Sequence, residues 1–307
     1  MTWLLPDTLW HDGALRTGLA WRAGVVSLSS SGQRLSGTLL PGLVDAHAHT
    51  QLIDVTALRG LSGVWDLGGN PAVVAGQALR WAGPFLIAPG GYPSDRSWAP
   101  AGSCREVLSV TDAEAAVAEV AAAGATLVKV TAHAGGPVLP AATLAALVDA
   151  AHTLRLPVVV HAEGPGTVAA AYEAGADLLA HTPWTSSLDD GLVRACAGRM
   201  TWISTLDIHG YGEETPARGT AIGNLRRFAE YGGTVRYGTD LGNGPLPPGI
   251  NAREIRALLA AGLTPADVVA AMTDNDWAAP AWVPAGLDLD PGRFPESLAA
   301  AGPIVGT

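Results

Sequence analysis

Residues 126–182 read TLVKVTAHAGGPVLPAATLAALVDAAHTLRLPVVVHAEGPGTVAAAYEAGADLLAHT. Three short apolar runs, TLVKVT, PVVVHAE and DLLAHT, are separated by Ala-rich stretches of helical length. A continuous apolar run bounded by turn residues fits a strand covered on both faces, and the intervening stretches fit the helices that cover it. Working outward, the same alternation recurs about eight times between residues 39 and 280. The remaining strand candidates are 39–49, 63–68, 84–90, 200–205 and 234–240. Eight strand–helix units predict an α/β protein closed into a (β/α)8 TIM-like barrel rather than an open doubly wound sheet. No Gly-x-Gly-x-x-Gly opens a helix after the first strand, which argues against a dinucleotide-binding fold.

Punctuation supports the helices. Thr111-Asp112-Ala113-Glu114 reads as a capping box ahead of AAVAEVAAAG, with Gly124 as its terminator. Thr264, Pro265 and Asp267 read as N-cap, first-turn proline and dipole-compatible acid. Residues 1–38 and 281–307 are expected to form a small, reduced β or irregular appendage, flanking a barrel over 39–280.

Composition narrows the function. The chain has 307 residues, 48% of them hydrophobic and 15% charged, so it can bury a large core and is not disordered. A net charge of −10 with no basic patch excludes nucleic acid and anionic membrane surfaces as partners. The expected partner is a small-molecule substrate, and a homo-oligomer stays open. Two cysteines, Cys104 and Cys196, make no disulfide framework, and the start has neither a basic region nor an apolar run of signal-peptide type. With no run of about 18 apolar residues either, a cytoplasmic location is expected.

Of 18 basic residues, 17 are Arg, and the single lysine, Lys129, sits in the apolar run TLVKVT. Strand alternation puts Leu127, Lys129 and Thr131 on one face and Val128 and Val130 on the other, under helices. Lys129 is therefore expected to face inward, in register with Val159 and His161 and with Gly238 and Asp240. His47 and His49, two apart on a strand, point to the same side. Together His47, His49, Lys129, His161, His181 and Asp240 all fall at carboxyl ends of strands, where the loops of a barrel converge and where barrel active sites lie. Imidazoles plus a carboxylate, without sulfur, suit a divalent ion such as Zn, Mn, Fe or Co.

The segments PGLVDAHAHT, GVWDLGGN, VKVTAHAGG, VVVHAEG, DLLAHT and YGTDLGN, in that order, resemble the amidohydrolase superfamily, most closely its imidazolonepropionase-like and Xaa-Pro-dipeptidase-like branch. The resemblance covers residues 39–280. It implies one or two divalent ions, most commonly zinc: His47 and His49 with Asp240 would hold the more buried ion, His161 and His181 a second, and Lys129 would bridge them as a carbamate. Burial favours the neutral amine, whose lone pair can attack carbon dioxide. The ions would acidify a water and polarise the scissile carbonyl, while Asp240 takes the water's proton to the leaving amine.

Two departures limit the carry-over. The His-x-x-Glu of cyclic-amidine deaminases is missing, because position 164 is Gly, and this favours binuclear amide or peptide hydrolysis. The C-terminal Gly-Lys-x-Ala-Asp-Leu run is also missing. The expectation is a metal-dependent hydrolase of an amide bond in a dipeptide or N-acyl amino acid. Its alternatives are a lactonase, a phosphotriesterase-like hydrolase or a deaminase on the same centre, or a non-catalytic scaffold.

Loop candidates complete the set. His133, four residues after Lys129, is placed to reach substrate from the loop after the fourth strand. His209 and Tyr211, after the seventh strand, are candidates to bind or protonate it. Tyr92, Arg96 and Trp98 suggest an aromatic wall with a guanidinium for a carboxylate. Asp66 reads as a hydrogen-bond support, His152 as a structural histidine, and His11 as lying outside the barrel.

Overall fold

A computed structural model describes residues 2–304, so residue 1 and residues 305–307 of the expected appendage lie outside the described residues. It is a mixed α/β structure. The N-terminal strands β1 (Leu4–His11), β2 (Ala14–Arg16), β3 (Leu19–Arg22), β4 (Val25–Leu28) and β5 (Gln33–Leu40) form one sheet. Strands β6 (Val44–Ala48), β7 (Gly63–Asp66) and β8 (Arg80–Trp81) form a parallel sheet of three. The third sheet is parallel throughout, in the order β10 (Cys104–Glu106), β9 (Phe85–Ile87), β11 (Val128–His133), β12 (Val158–Glu163), β13 (Leu178–Leu179), β14 (Thr201–Ile203), β15 (Thr234–Arg236). Late in the chain, β16 (Ala281–Val283) returns to pair antiparallel with β5, joining the first sheet.

Two seams connect the parallel sheets. Beyond β15, Tyr237 O accepts from Ala46 N at 2.9 Å, Leu241 O from His49 N at 2.8 Å, and Leu241 N donates to His47 O at 3.1 Å. On the other side, β8 and β9 are one run of chain broken at Gly83-Pro84. Its first part pairs with β7 and its second with β11.

The helices are α1 (Pro71–Val74), α2 (Val110–Ala122), α3 (Ala141–Thr153), α4 (Thr167–Glu173), α5 (Asp190–Ala197), α6 (Pro216–Glu230), α7 (Ala252–Ala260), α8 (Pro265–Met272) and α9 (Phe294–Ala299). From α2 to α6 they alternate with the strands of the third sheet. Their apolar faces cover Val128, Val130, Val158 and Val160, whereas Leu127, Val159, Leu178, Ala180 and Ile203 pack with Val44, Ala46 and Trp65 in a second, inner cluster. The alternation expected for TLVKVT and PVVVHAE thus follows the pleat.

Four details differ from the sequence expectation. The strand expected over 39–49 is two strands, β5 and β6, because Pro41-Gly42 interrupts it and Gly42 N turns away to Asp276 O. The cap of α2 is Ser109, whose side chain accepts from Asp112 N; Thr111 lies inside the helix, and Asp112 instead takes a bidentate ion pair from Arg105. The short strands β8 and β10 were not anticipated, being two and three residues long. His133 is the last residue of β11 rather than a loop residue. The cap of α8 is as read: Thr264 and Asp267 form a reciprocal capping box with Pro265 in the first turn. No helix among the described residues is long and apolar enough to cross a membrane.

Candidate active site

His47, His49, Lys129, His161, His181 and Asp240 line a single cavity of about 190 Å³, with Leu52, Phe85, Tyr92, Trp98 and the 242–244 turn as its other walls. Each of the six is almost fully buried; Lys129 is 1% exposed. Their convergence follows from parallel strands in register. Thr131 is opposite His161, and Lys129 opposite Val159, so residues distant in sequence share one end of the sheet.

The imidazoles are oriented from behind. His47 Nδ1 lies 2.8 Å from Ala180 O, and His49 Nδ1 lies 2.9 Å from Gly68 O, so each donates that N–H and carries its lone pair on Nε2. His181 Nδ1 is held at 2.9 Å by Thr205 Oγ1. The freed Nε2 atoms of His47 and His49 both lie 3.1 Å from Asp240 Oδ1. Neither His47 Nε2 nor Asp240 Oδ1 makes an aligned hydrogen bond, although both are buried. A lone-pair nitrogen and a carboxylate oxygen turned on one point, with nothing satisfying them, are the donor set a divalent cation requires. The ligand atoms of His47, His181 and Asp240 lie within 4.8 Å of one another.

The electrostatics agree. Burial drives His47 and His181 well below their usual value, and it lowers His161 too, so all three are neutral at pH 7 and ready to ligate. His49 is the exception: burial lowers it, but the contact with Asp240 and the charges of Asp240 and Asp66 outweigh this and raise it, so a cation there would have to displace a proton from Nε2. Burial opposes ionisation of Asp240, but His47, His49 and His181 hold its carboxyl well below the usual range. Burial lowers the Lys129 amine to about 7, against the pull of Asp240 and Asp66. Asp240 has φ +61°, a left-handed backbone costly for a non-glycine residue; strain of this kind concentrates where geometry serves a site.

Supporting residues sit one step back. Asp66 accepts from Thr50 N, Thr50 Oγ1 and Gly68 N, fixing the loop whose carbonyl holds His49. Asp45, which the sequence reading passed over, accepts from His47 N, Thr239 N and Thr239 Oγ1, tying β6 to the segment bearing Asp240. Its place two residues before His47 was the available signal, since i and i+2 share a face. Burial raises Asp45 to about 7.

Of the loop candidates, only Tyr92 and Trp98 line the cavity. Tyr92 stacks on His161 at 5.0 Å between ring centroids, and the Arg96 guanidinium sits 5.5 Å over the Tyr92 ring. His209 stacks on Trp184 at 4.7 Å, and Trp184 in turn meets His161 and His181 edge-on. The loop of His209 and Tyr211 is anchored from α7, where Glu254 accepts from Leu206 N and Asp207 N, and Arg253 Nε donates to Asp207. Neither Trp184 nor Glu254 carried a legible motif. His133 lies 2.9 Å from Glu163, another residue not singled out from sequence. His152 pairs with Asp177 at the surface, and His11 lies on β1 beside Asp12.

No family model matches the sequence, and no curated protein matches it. Solved structures do. The ochratoxinase of A. niger superposes with a TM-score of 0.77 over 97% of this chain and 92% of its own, at 18% identity. A prolidase complexed with N-methylphosphonate-L-proline gives 0.72 over 98% and 96%, also at 18% identity. Bottromycin amidohydrolase gives 0.66 over 97% and 83%, at 19% identity. The shared property at such identities is the fold.

Proposed function

We propose that this chain, which has the fold of the amidohydrolases and prolidases, is a metal-dependent hydrolase that cleaves an amide bond in a small substrate such as a dipeptide or N-acyl amino acid. The observation that carries the proposal is the meeting of His47 Nε2 and His49 Nε2 on Asp240 Oδ1, at 3.1 Å each, beside a buried lysine. The two seams between the parallel sheets support a (β/α)8 barrel over 39–280, and the sheet of β1–β5 and β16 supports an appendage built from 1–38 and 281–307. Two unpaired cysteines fit a cytoplasmic enzyme.

Residues His47, His49 and Asp240 would hold one ion and His161 with His181 a second, zinc being the metal best suited to this donor set. When bound, the ions supply Lewis acidity, lowering the pKa of a water and polarising a carbonyl. The chain does the rest. With its amine lowered to about 7, Lys129 holds a free-base fraction at neutral pH. That amine would form a bond from Nζ to the carbon of CO2, one C=O electron pair moving onto oxygen and one N–H proton passing to water, and the resulting carbamate oxygens would offer the ions two further anionic donors. Asp240, anionic and anchored through Oδ2 by Asn243 Nδ2 at 2.8 Å, takes up the proton of the attacking water and delivers it to the departing amine nitrogen. Tyr92, Trp98, Phe85 and Leu52 exclude solvent on the substrate side.

The test is metal stoichiometry on protein purified without chelators, beside Lys129→Ala, followed by a dipeptide and N-acyl amino acid library. Two equivalents that fall to one or none in the variant, with amide turnover, are expected. One equivalent unaffected by the substitution would overturn the binuclear centre. Turnover of lactones, phosphotriesters or amidines with none of amides would overturn the substrate assignment.

A further inference from the structure

Away from the cavity, three side chains gather at the opposite end of the parallel sheets. Arg236 ends β15, four residues ahead of Asp240, and its register partner Ile203 belongs to the inner cluster. Trp65 is a member of the same cluster and is register partner to Arg80, the first residue of β8. Thr126, three residues ahead of Lys129 on the approach to β11, accepts from Arg80 Nη2 at 3.4 Å. Because the strands are parallel, residues ahead of Asp240 and Lys129 lie on the side away from the cavity.

The carbons of both guanidiniums lie over the Trp65 ring, that of Arg80 at 4.7 Å from the ring centroid and that of Arg236 at 5.0 Å. Trp65 is 5% exposed and the Arg236 side chain 13%. Arg236 Nη1 pairs with Asp274 Oδ1 at 2.7 Å and reaches Thr273 O at 3.4 Å. Its Nε and Nη2, and Trp65 Nε1 as well, are buried with no hydrogen-bond partner among the described residues. All three of these atoms are donors. A buried donor without an acceptor is costly, and more so when it is charged.

The arrangement of the donors specifies the missing acceptor. Nε–H and the adjacent Nη2–H form the side-on fork of a guanidinium, which grips two oxygens of one carboxylate or phosphate. Charge points the same way. Two cations share the ring, and the carboxylate set against them, Asp274, has a side chain that is 51% exposed. Burial depresses the Arg80 guanidinium; Asp274 opposes this, and the charge of Arg236 adds to it. We propose that this end of the molecule binds a small oxyanion, two oxygens of a carboxylate or phosphoryl group occupying the Nε–Nη2 fork of Arg236, with Trp65 Nε1–H and the charge of Arg80 alongside. The site is separate from the metal-binding cavity, whose lining includes none of these three residues.

The experiment titrates the metal-loaded enzyme with phosphate, acetate or chloride at fixed ionic strength and reads dissociation constants from saturable shifts of the thermal midpoint. Wild type, Arg236→Gln, Arg80→Gln and Trp65→Phe are compared, with circular dichroism to establish that each is folded. Wild type is expected to respond saturably to phosphate, to acetate or to both, and far less to chloride; which of the two acts distinguishes a phosphoryl from a carboxylate ligand. Arg236→Gln is expected to weaken binding about 10–100-fold, the usual worth of a hydrogen-bonded charge. Arg80→Gln and Trp65→Phe, each keeping the fork, are expected to weaken it a few fold, and they carry the test if Arg236→Gln does not fold. A wild type without a saturable response would mean that water satisfies these donors and would overturn the proposal. Equal affinity in wild type and all folded variants would place the anion on the metal centre and overturn it too, and a chloride response matching that of the oxyanions would overturn the two-oxygen assignment.

Discussion

The floor of the cavity and its rim are built by different means. On the floor, His47, His49, His181 and Asp240 come from strand ends or the segment directly after β15, and each histidine is locked by an oxygen behind it. At the rim, Tyr92 meets Trp98 edge-on and carries the Arg96 guanidinium over its ring, while His209, which like Tyr211 lies outside the cavity lining, stacks on Trp184. Hydrogen-bonded side chains at strand ends have one geometry available; stacked rings on loops have several close in energy. The floor therefore suits chemistry that recurs across substrates, and the rim suits the choice of substrate. If that division is right, substitutions on the floor will abolish ion binding or turnover, and substitutions at the rim will shift affinity or pH behaviour.

The largest effect is expected at the centre of the floor. Asp240→Asn keeps the shape but removes the anion that three imidazoles surround, and kcat should fall about 10²–10⁴-fold, the range for removing a positioned acid–base group. Ion content and kcat measured on the same preparation check this. A variant with wild-type kcat would break the comparison at its strongest point.

One step behind the floor, Asp45→Ala leaves His47 N, Thr239 N and Thr239 Oγ1 without their buried acceptor. Unsatisfied buried donors cost about 1–3 kcal/mol each, and water entering the space offsets part of that, so a loss of about 3 kcal/mol is expected. Denaturant midpoints with and without zinc measure it. Loss of stability without loss of ion affinity would show that Asp45 serves the fold alone.

The same contrast explains what could be read in the sequence. Lys129 was legible because a lone lysine in an apolar run contradicts its surroundings, and His47-x-His49 because a two-residue spacing has only one meaning on a strand. Both signals are local. Asp45 and Glu163 obey the same two-residue rule beside His47 and His161, yet each looks like an ordinary acid until its partners, Thr239 and His133, are brought alongside by the sheet. Trp184 and Glu254 were illegible altogether, since their roles depend on His209 and on the amides of Leu206 and Asp207, 25 and 47–48 positions away in sequence. The cap of α2 was misplaced by two residues because Ser109 and Thr111 are chemically equivalent caps, and only the Arg105–Asp112 pair decides between them. The alternation of parallel strands with helices, in contrast, needed no partner to be seen.

At the rim, His209 gives a pH signature. Burial lowers it from the usual 6.5 to about 4, against the charges of Asp240 and Glu163, so the folded chain carries it neutral. The unfolded chain binds a proton near pH 6.5 that the folded chain refuses. Stability from this residue is therefore complete above about pH 6.5 and is lost as pH falls toward 4, by about 1–2 kcal/mol at pH 5. His209→Phe keeps the stack on Trp184 and cannot titrate. The difference in stability between wild type and variant should grow in the variant's favour from pH 7 to pH 5, and a difference independent of pH would contradict the buried, neutral assignment.

The smallest effect belongs to Arg96, whose side chain is 43% exposed and which touches Tyr92 through its face and Asp95 at 3.4 Å. An exposed cation over a ring contributes about 0.5–1 kcal/mol, and an exposed ion pair no more, so Arg96→Ala should leave the fold and the ions unaffected. Its charge nevertheless lies on the ring that walls the cavity. A substrate with a free carboxylate should lose a few fold in KM with kcat unchanged, and its amidated analogue should lose nothing. Equal losses for both would mean that Arg96 acts only by holding Tyr92, and the rim would then select substrates by shape rather than by charge.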